Sequence, residues 1–291
     1  MVLFFQQLII GFSIGGTYAL LATGYALIYS LLGFSNWAHG EVAMAGAYIA
    51  VLLLGLEFIP YPVAMILGVA AAGTFSVLNE KIAYKRIRDH HSPTMFLMIA
   101  AMGLSIVYQN TANLLFSSKF RVFPEITSAV LHIGPLAISV LDLGSLILSV
   151  VLLIILDRVI YRSKVGLGIR AVASNSYTAS LMGINIDWYY SLVFMIAGFL
   201  AGSAGMLLGM KYTVYPTMGN IALKAFISSV LGGLGSVRGA ILGAFLIGVL
   251  ETLVSGYLSS GLRDLFTFGL LIVILLVKPS GLMGVNVKDK A

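Results

Sequence analysis

Residues 138–160 read ISVLDLGSLILSVVLLIILDRVI, and the stretch that follows them, 161–187, reads YRSKVGLGIRAVASNSYTASLMGINID. The first stretch is long and apolar enough to cross the roughly 30 Å hydrocarbon core of a bilayer, which takes about 20 helical residues. The second stretch carries Arg162, Lys164 and Arg170 and has no apolar run of that length. This contrast predicts a membrane protein that keeps a long basic loop on the cytoplasmic side of the bilayer.

The composition places the whole chain in the class of polytopic membrane proteins. Of its 291 residues, 59% are hydrophobic and 10% are charged, and the mean hydropathy is +1.02. A soluble domain carries about 25% charged residues. The absence of cysteine excludes disulfide frameworks, thiolate catalysis and cysteine metal sites. The first residues, MVLFFQQLIIGF, lack a basic region and a cleavage site, which predicts a retained first span.

The apolar runs predict an all-α polytopic bundle of about eight spans, folded as a single domain over residues 1–291. A short glycine-rich stretch, 222–236, is expected to re-enter the membrane. The glycine and alanine pattern is faintly similar between 36–50 and 219–233, but too weakly to establish an internal repeat. The predicted helices cover residues 7–32, 36–56, 61–84, 93–116, 138–160, 188–210, 237–257 and 264–280.

The distribution of lysine and arginine predicts that the N-terminus lies outside and the C-terminus in the cytoplasm. With this orientation, 12 of the 17 basic residues fall on the cytoplasmic side. The surplus positive charge is then explained by membrane insertion, and no nucleic-acid partner is expected. These 12 residues are Lys81, Lys85, Arg86, Arg88, Arg158, Arg162, Lys164, Arg170, Arg238, Lys278, Lys288 and Lys290.

Polar residues inside predicted spans are candidate functional positions, because a charge at a helix centre costs about 2.5–3.5 kcal/mol on insertion scales. The richest cluster is Ser35, Asn36, His39 and Glu41, at the start of the second span. Helix capping with buried hydrogen bonding is one interpretation of this cluster, and the lining of a translocation path or gate is the other. His39 and Glu41 are two residues apart, so they are expected to face different directions.

Two further polar groups lie within predicted spans. Gln109, Asn110 and Asn113 either bond neighbouring helices or form a polar pathway surface. Glu251 is the most isolated acid, displaced toward the outer end of its helix, and both a structural hydrogen bond and a functional role are open for it.

Glycine and alanine punctuate the predicted spans in two ways. Gly232, Gly233 and Gly235 break the chain, which favours either a pathway or hinge role or tight packing. Small residues at a spacing of four predict faces where helices approach closely. These faces comprise Gly11, Gly15 and Ala19; Ala197, Ala201, Gly205 and Gly209; and Ala240, Ala244 and Gly248.

The chain lacks motifs that would supply energy or catalysis. It contains no G-x-x-x-x-G-K-[ST] phosphate loop and no H-E-x-x-H. We therefore expect no cofactor and no metal, and interpret 161–187 as the place where a separate motor protein acts. An ion-coupled carrier is the main alternative, although its buried acids and amides would be few. Ser236 as a hydrolase nucleophile is disfavoured, because His39 is the only histidine in a predicted span.

Four segments resemble LivH-type permeases, the membrane subunits of branched-chain amino acid ABC importers. SNWAHGEVAMAGAY (35–48) resembles the family's N-F-A-H-G-E signature, with Trp37 in place of phenylalanine. GLGIRAVASNSYTASLMGI (166–184) resembles the cytoplasmic loop of the family. MGNIALKAFISSVLGGLGSVRGAILGAFLIGVLE (218–251) resembles its late core, and KPSGLMG (278–284) its C-terminal end.

The resemblance implies a non-catalytic, pore-forming subunit of a bacterial-type inner membrane. Such a subunit pairs with a second, similar permease, binds two ATP-binding cassette ATPase subunits, and accepts cargo from an extracytoplasmic binding protein. A coupling helix would lie around Arg170, Ala179 and Gly183, where Tyr177, Thr178 and Ala179 stand in for E-A-A of the pattern E-A-A-x-x-x-G. The family also imports urea and short amides, which leaves the cargo open.

We take Asn36, His39, Glu41 and the glycine segment 232–236 as candidate path or gate residues, with Glu251 as a further candidate. Two outer loops are candidate docking surfaces for the binding protein. They are residues 117–137, with Lys119, Arg121 and Glu125, and residues 211–222.

Overall fold

The protein is a helical bundle with one short β-hairpin, seen in a computed structural model that describes residues 2–284 except 57, 91, 126 and 128. Lys288 and Lys290, which the orientation argument counted, lie outside the described residues. The helices are α1 (Val2–Leu32), α2 (His39–Leu54), α3 (Tyr61–Asn79), α4 (Lys85–Asp89), α5 (Thr94–Phe116), α6 (Val140–Arg162), α7 (Lys164–Ser174), α8 (Ser176–Leu181), α9 (Ile186–Lys211), α10 (Ala222–Gly232), α11 (Val237–Tyr257) and α12 (Arg263–Val277).

Three short helical turns and two strands complete the described elements. A π turn, Glu80–Tyr84, joins α3 to α4, and 3₁₀ turns precede α10 (Met218–Ile221) and α12 (Ser260–Leu262). Strands β1 (Val130–Ile133) and β2 (Leu136–Ser139) pair antiparallel, with Val130 opposite Ser139. An isolated backbone bridge between Arg121 and Val214 joins the two loops predicted as docking surfaces.

The predicted polytopic helical bundle is confirmed. Within the described residues, seven helices are long and apolar enough to cross a membrane, and His39–Leu54 and Met218–Gly232 are shorter apolar helices. Seven of the eight predicted spans correspond to the long helices. The remaining one, 36–56, corresponds to α2, which has only 16 residues. The number of spans in a bilayer and the re-entry of 222–236 stay predictions.

Helix α1 forms the centre of the bundle. Nearly all of its residues from Gly11 to Ile28 are buried, as expected for a helix that is apolar on every side and enclosed by other helices. Its largest partner is α11, and α6, α9 and α10 pack around it as well.

The predicted small-residue faces are contacts between helices. Gly15 and Gly248 lie so close that a side chain on Gly248 would overlap the backbone of Gly15. Gly205 of α9 lies in the same way against the backbone of Ala43 in α2. Close backbone approach of this kind is how membrane helices gain packing where lipid provides no hydrophobic driving force between them.

Helices α2 and α10 both begin inside the bundle. The His39 ring lies 4.7 Å from the ring of Tyr25, well before the end of α1. Residues 33–38 therefore turn back into the bundle before α2 starts. The 3₁₀ turn before α10 reaches the same place, since a side chain on Gly40 would overlap the carbonyl oxygen of Gly219.

The two helices then run toward opposite ends of the bundle. Tyr48 of α2 stacks on Phe116, at the end of α5, with ring centroids 4.6 Å apart. Gly232, the last residue of α10, lies against Gly239 and accepts a hydrogen bond from the amide of Met283. The starts of two broken helices consequently meet within the bundle, the arrangement that transporters use at binding sites.

Candidate functional site

A cavity of about 130 Å³ lies where α2 and α10 begin. It opens beside Trp37, whose side chain is 39% exposed. Its polar wall carries Glu41, Ser105 and Asn220, and much of the rest is aromatic or aliphatic. The lining residues are Tyr25, Ser35, Trp37, Glu41, Ser105, Gly219, Asn220, Leu223 and Phe226.

Glu41 is the charged group of this cavity and is only 2% exposed. One carboxylate oxygen, Oε1, accepts hydrogen bonds from Gln109 Nε2 at 2.7 Å and from Ser105 Oγ at 3.1 Å. The other oxygen, Oε2, is buried and has no hydrogen-bond partner. The carboxylate also lies directly against Gly219, where an added methyl group would overlap both oxygens. Glu41 therefore belongs to the cavity, with one oxygen left for a further donor.

Asn36 lies behind the cavity and supports the start of α2. Its side-chain oxygen accepts a hydrogen bond from the amide of Ala38 at 3.2 Å and from the Tyr84 hydroxyl at 2.7 Å. The buried hydrogen bonding considered for this cluster is present, but the capping is not. Ala38 is the N-cap residue of α2 and no side chain caps the helix there, since Asn36 bonds the amide of Ala38 itself. Because Tyr84 belongs to the π turn after α3, Asn36 also ties the start of α2 to that helix.

His39 faces away from Glu41, as the helical spacing predicts. Its ring is fully buried between α1 and α2, next to Tyr25 and directly over Gly24. It does not line the cavity. His39 therefore packs behind the residues that line the cavity. Its role in the translocation path stays a prediction.

The glycine segment also lies away from the cavity. Gly233 and Gly235 have φ values of 110° and 83°, which form the turn between α10 and α11. The carbonyls of Leu231 and Gly232 accept hydrogen bonds from Leu282 and Met283, so the segment near the C-terminus packs onto this turn. The structure thus provides the tight packing considered for Gly232, Gly233 and Gly235, and a hinge role for them stays a prediction.

Glu251 joins four helices and does not line the cavity. Its carboxylate contacts Lys224 Nζ of α10 at 2.8 Å, the Tyr18 hydroxyl of α1 at 3.2 Å and the Thr267 hydroxyl of α12 at 3.3 Å. The structural hydrogen bond considered for Glu251 is therefore present. Lys224 also contacts Asp264 at 2.9 Å.

We expect Glu251→Ala to lower the stability of the bundle by about 3 kcal/mol, because removing one partner of a buried ion pair strands the other charge. The measurement is the midpoint of thermal unfolding in detergent. Asp264→Ala is the matched control, since Asp264 contacts the same lysine but its side chain is 66% exposed. Equal effects of the two variants would contradict the structural role of Glu251.

Several cavity residues were missed by sequence reasoning. Tyr25, Leu223 and Phe226 are apolar or aromatic residues of apolar helices, so their sequence context gives no signal. Ser105 lies four residues before Gln109, on the same face of α5, and the polar cluster around Gln109 could have pointed to it.

Of the polar cluster at the start of the second predicted span, Ser35 and Glu41 line the cavity, whereas Asn36 and His39 do not. Glu251 and the glycine segment 232–236 lie outside it as well.

A second polar cluster lies where the π turn after α3 meets the start of α9. Asp187 contacts Lys85 Nζ at 2.7 Å and Arg88 Nη2 at 2.6 Å. Arg88 also contacts Glu80 at 2.8 Å, and Glu80 accepts a hydrogen bond from the Ser191 hydroxyl at 3.0 Å. The Glu80 side chain is 1% exposed. Because π turns inside helices are frequent at functional sites, this cluster is a second candidate functional site.

The basic stretch 161–187 contains two short helices, α7 and α8, instead of an open loop. Ala179 is buried against Val172 and Tyr190, and Gly183 follows the end of α8 as predicted. Arg170 donates a hydrogen bond to the carbonyl of Ile160, which holds α7 to the end of α6.

Helix α8 and the turn after it expose three large apolar side chains. Tyr177, Leu181 and Met182 are 73%, 70% and 80% exposed. An apolar patch of this kind on a polar connecting segment is typical of a protein–protein contact.

Comparisons with known proteins place this chain among permeases. The family model described as "Branched-chain amino acid transport system / permease component" matches residues 7–275. The chain is 36% identical to the high-affinity branched-chain amino acid transport system permease protein LivH of Escherichia coli K12, over 97% of this chain and 96% of that protein. It is 35% identical to the corresponding protein BraD of Pseudomonas aeruginosa over the same shares.

More distant relatives are similar as well. A probable branched-chain amino acid transport permease protein LivH of Methanocaldococcus jannaschii is 30% identical, over 92% of this chain and 89% of that protein. No solved structure matches the chain.

Proposed function

We propose, because this chain belongs to the permease family of branched-chain amino acid transport systems, that it is the translocation subunit of an ATP-driven importer of branched-chain amino acids. It would be a non-catalytic subunit of the inner membrane, energised by separate ATPase subunits and paired with a second permease. The alternatives are import of urea or short amides by the same machinery, and ion-coupled secondary transport.

The cavity at the starts of α2 and α10 is the observation that carries this proposal. A polar cavity between broken helices is tolerated at membrane depth only where protein or water surrounds the backbone. It is also where transporters place substrates, because unwound backbone and helix ends supply polar groups there. Glu41, in the first turn of α2, and Asn220, in the 3₁₀ turn before α10, supply polar groups at the helix starts here.

The contact with the ATPase is proposed on α7 and α8, within the stretch 161–187. Tyr177, Leu181 and Met182 form an exposed apolar patch that fits a groove on a cytoplasmic partner. Ala179 would support α8 through its buried contacts with Val172 and Tyr190. Gly183 would allow the chain to turn where α8 ends. Arg170 would hold α7 to α6 so that movement of the patch is passed to a membrane helix.

Docking of the extracytoplasmic binding protein is proposed at the opposite end. The orientation with the N-terminus outside would place residues 117–137 and 211–222 there. The backbone bridge between Arg121 and Val214 makes these two loops one surface.

Extraction of the tagged protein in mild detergent tests the proposal. We expect a phosphate-loop ATPase to co-purify, and we expect Leu181→Glu together with Met182→Glu to abolish its recovery, because two charges would be placed in an apolar contact. The matched control is Phe120→Glu with Val122→Glu, which changes two exposed apolar residues in the loop 117–137. A protein that purifies alone and moves solute on an ion gradient would be a secondary carrier instead.

A further inference from the structure

Building on the proposed transport function, we propose that the cavity is a transit site for the ammonium group of an amino acid. The Glu41 carboxylate receives the ammonium group through its Oε2 atom. The aliphatic side chain of the amino acid lies against Trp37, Leu223 and Phe226. The cavity would thus select amino acids over the neutral solutes that related machinery carries.

The unpaired oxygen of Glu41 is the first argument. A buried polar atom without a hydrogen bond is costly, and buried carboxylates are normally paired. Oε1 is occupied by Gln109 and Ser105, whereas Oε2 has no partner and the carboxylate lines the cavity. A donor that enters the cavity would therefore complete the hydrogen bonding of Glu41.

A cationic donor would pair with the charge of Glu41 as well as with its unpaired oxygen. Within the part of the chain that the structure describes, the ion pairs involve Glu80, Asp89, Asp142, Asp157, Asp187, Glu251 and Asp264, and Glu41 has none. Glu251 offers the comparison, since its buried carboxylate is paired with Lys224 at 2.8 Å. A primary ammonium group offers both the opposite charge and hydrogen-bond donors, as the lysine does.

The helix starts explain how Glu41 is held without an internal cation. Glu41 lies in the first turn of α2, and its carboxylate touches Gly219 in the 3₁₀ turn before α10. Helix N-termini carry partial positive charge that favours an anion. The N-terminus of α2 therefore favours the negative charge of Glu41, while Oε2 is left to the ligand. A side chain at position 219 would displace the carboxylate from this position.

The rest of the cavity suits a branched aliphatic side chain. Phe226 lies between Trp37 and Tyr25, with ring centroids 5.7 Å and 5.6 Å away, and Leu223 lines the cavity beside them. Urea and short amides carry no positive charge and would leave Oε2 without an ion pair. Sites with a buried polar group reject ligands that leave that group unpaired.

Fluorescence of Trp37 in the purified protein tests the site directly. The chain contains two tryptophans, so Trp188→Phe leaves Trp37 as the reporter. The probes are leucine, leucinol (which keeps the ammonium group but lacks the carboxylate) and 4-methylpentanoate (which keeps the carboxylate but lacks the ammonium group). We expect leucine and leucinol to change the emission and to compete, and 4-methylpentanoate to have no effect.

Glu41→Gln is expected to weaken leucinol binding at least about tenfold, the loss that a charge-assisted hydrogen bond implies. Asp264→Asn is the control, because it neutralises a carboxylate that lies outside the cavity and whose side chain is 66% exposed. Binding of 4-methylpentanoate as tight as that of leucinol would overturn the proposal. So would equal leucinol affinity of Glu41→Gln and the unchanged protein. The comparison of the two probes needs no Glu41 variant, and therefore remains decisive if Glu41→Gln does not fold.

Leucine uptake by the assembled complex in proteoliposomes separates this proposal from the function on which it rests. Absence of ATP-driven amino acid uptake by the unchanged complex would reject the proposed function. Normal uptake by the unchanged complex with equally fast uptake by Glu41→Gln would reject the ammonium site and leave the proposed function standing.

Discussion

Replacing Gly248 by leucine is expected to unfold the centre of the bundle. A Cβ atom at position 248 would lie 2.5 Å from both the Cα and the amide nitrogen of Gly15, whereas carbon atoms in contact are about 3.5–4.0 Å apart. Helix α1 is enclosed from Gly11 to Ile28 and has no room to withdraw. The cost should reach or exceed about 3 kcal/mol, the upper part of the range for overpacked cores.

The measurement is the yield of monodisperse protein in detergent, together with its thermal midpoint. Gly144→Leu is the matched control, because Gly144 is an exposed helical glycine of α6 with open space at its Cβ position. We expect the control to match the unchanged protein, since leucine favours helix more than glycine does. A Gly248→Leu protein as stable as the control would show that α1 and α11 do not pack as described.

Substituting Asp187 by asparagine is expected to uncouple ATP hydrolysis from transport. Asp187 follows α8, the proposed ATPase contact, and it pairs with Lys85 and Arg88 beyond the π turn. Arg88 pairs in turn with buried Glu80, and Tyr84 of the same π turn bonds Asn36 at the start of α2. These contacts form a continuous series from the stretch 161–187 to Asn36, which lies behind the cavity. Removing the charge of Asp187 interrupts this series of contacts at its exposed end.

Uptake and ATPase activity of the assembled complex should therefore respond differently. We expect amino acid uptake to fall about tenfold, equivalent to a coupling energy near 1.4 kcal/mol, while ATP hydrolysis continues. Little stability should be lost, because the Asp187 side chain is 52% exposed and exposed ion pairs contribute below about 1 kcal/mol.

Asp89→Asn provides the control for local charge. Asp89 is also exposed and lies 3.8 Å from the same arginine, but it belongs to α4 and makes no link to α9. Equal uptake defects in the two variants would show that the effect comes from the local charge around Arg88. They would reject the proposed series of contacts from Asp187 to Asn36. A double-mutant cycle with Arg88 would measure the pairwise energy directly.

The membrane class and most of the helices were predictable from the sequence, because hydropathy over about 20 residues reports the solvent around a helix directly. The same reasoning predicted a span over 36–56, where the structure has α2, a helix of only 16 residues. The predicted span includes residues 36–38, yet the chain at these residues is still turning back toward Tyr25 of α1, and α2 begins only at His39. Hydropathy records that a segment avoids water and carries no information about the depth at which a helix begins.

The candidate site was predictable only in part, for a related reason. Glu41 stood out because a carboxylate in an apolar segment needs a partner, and Gln109 stood out in the same way. Their contact joins residues 68 positions apart, and no local pattern encodes it. His39 and the glycines at 232–235 were equally prominent in the sequence, but the structure places them behind the site and at a distant turn.

The sequence by itself determined that this protein is a polytopic helical permease with a long basic segment after an apolar stretch, because composition, helical spacing and family motifs are local properties of the chain. Only the tertiary structure decided which polar groups share the cavity. The starts of α2 and α10 come from positions about 180 residues apart and meet because Gly40 and Gly219 allow their backbones to touch. Long-range packing thus leaves one buried oxygen of Glu41 without a hydrogen-bond partner and pairs Glu251 with Lys224.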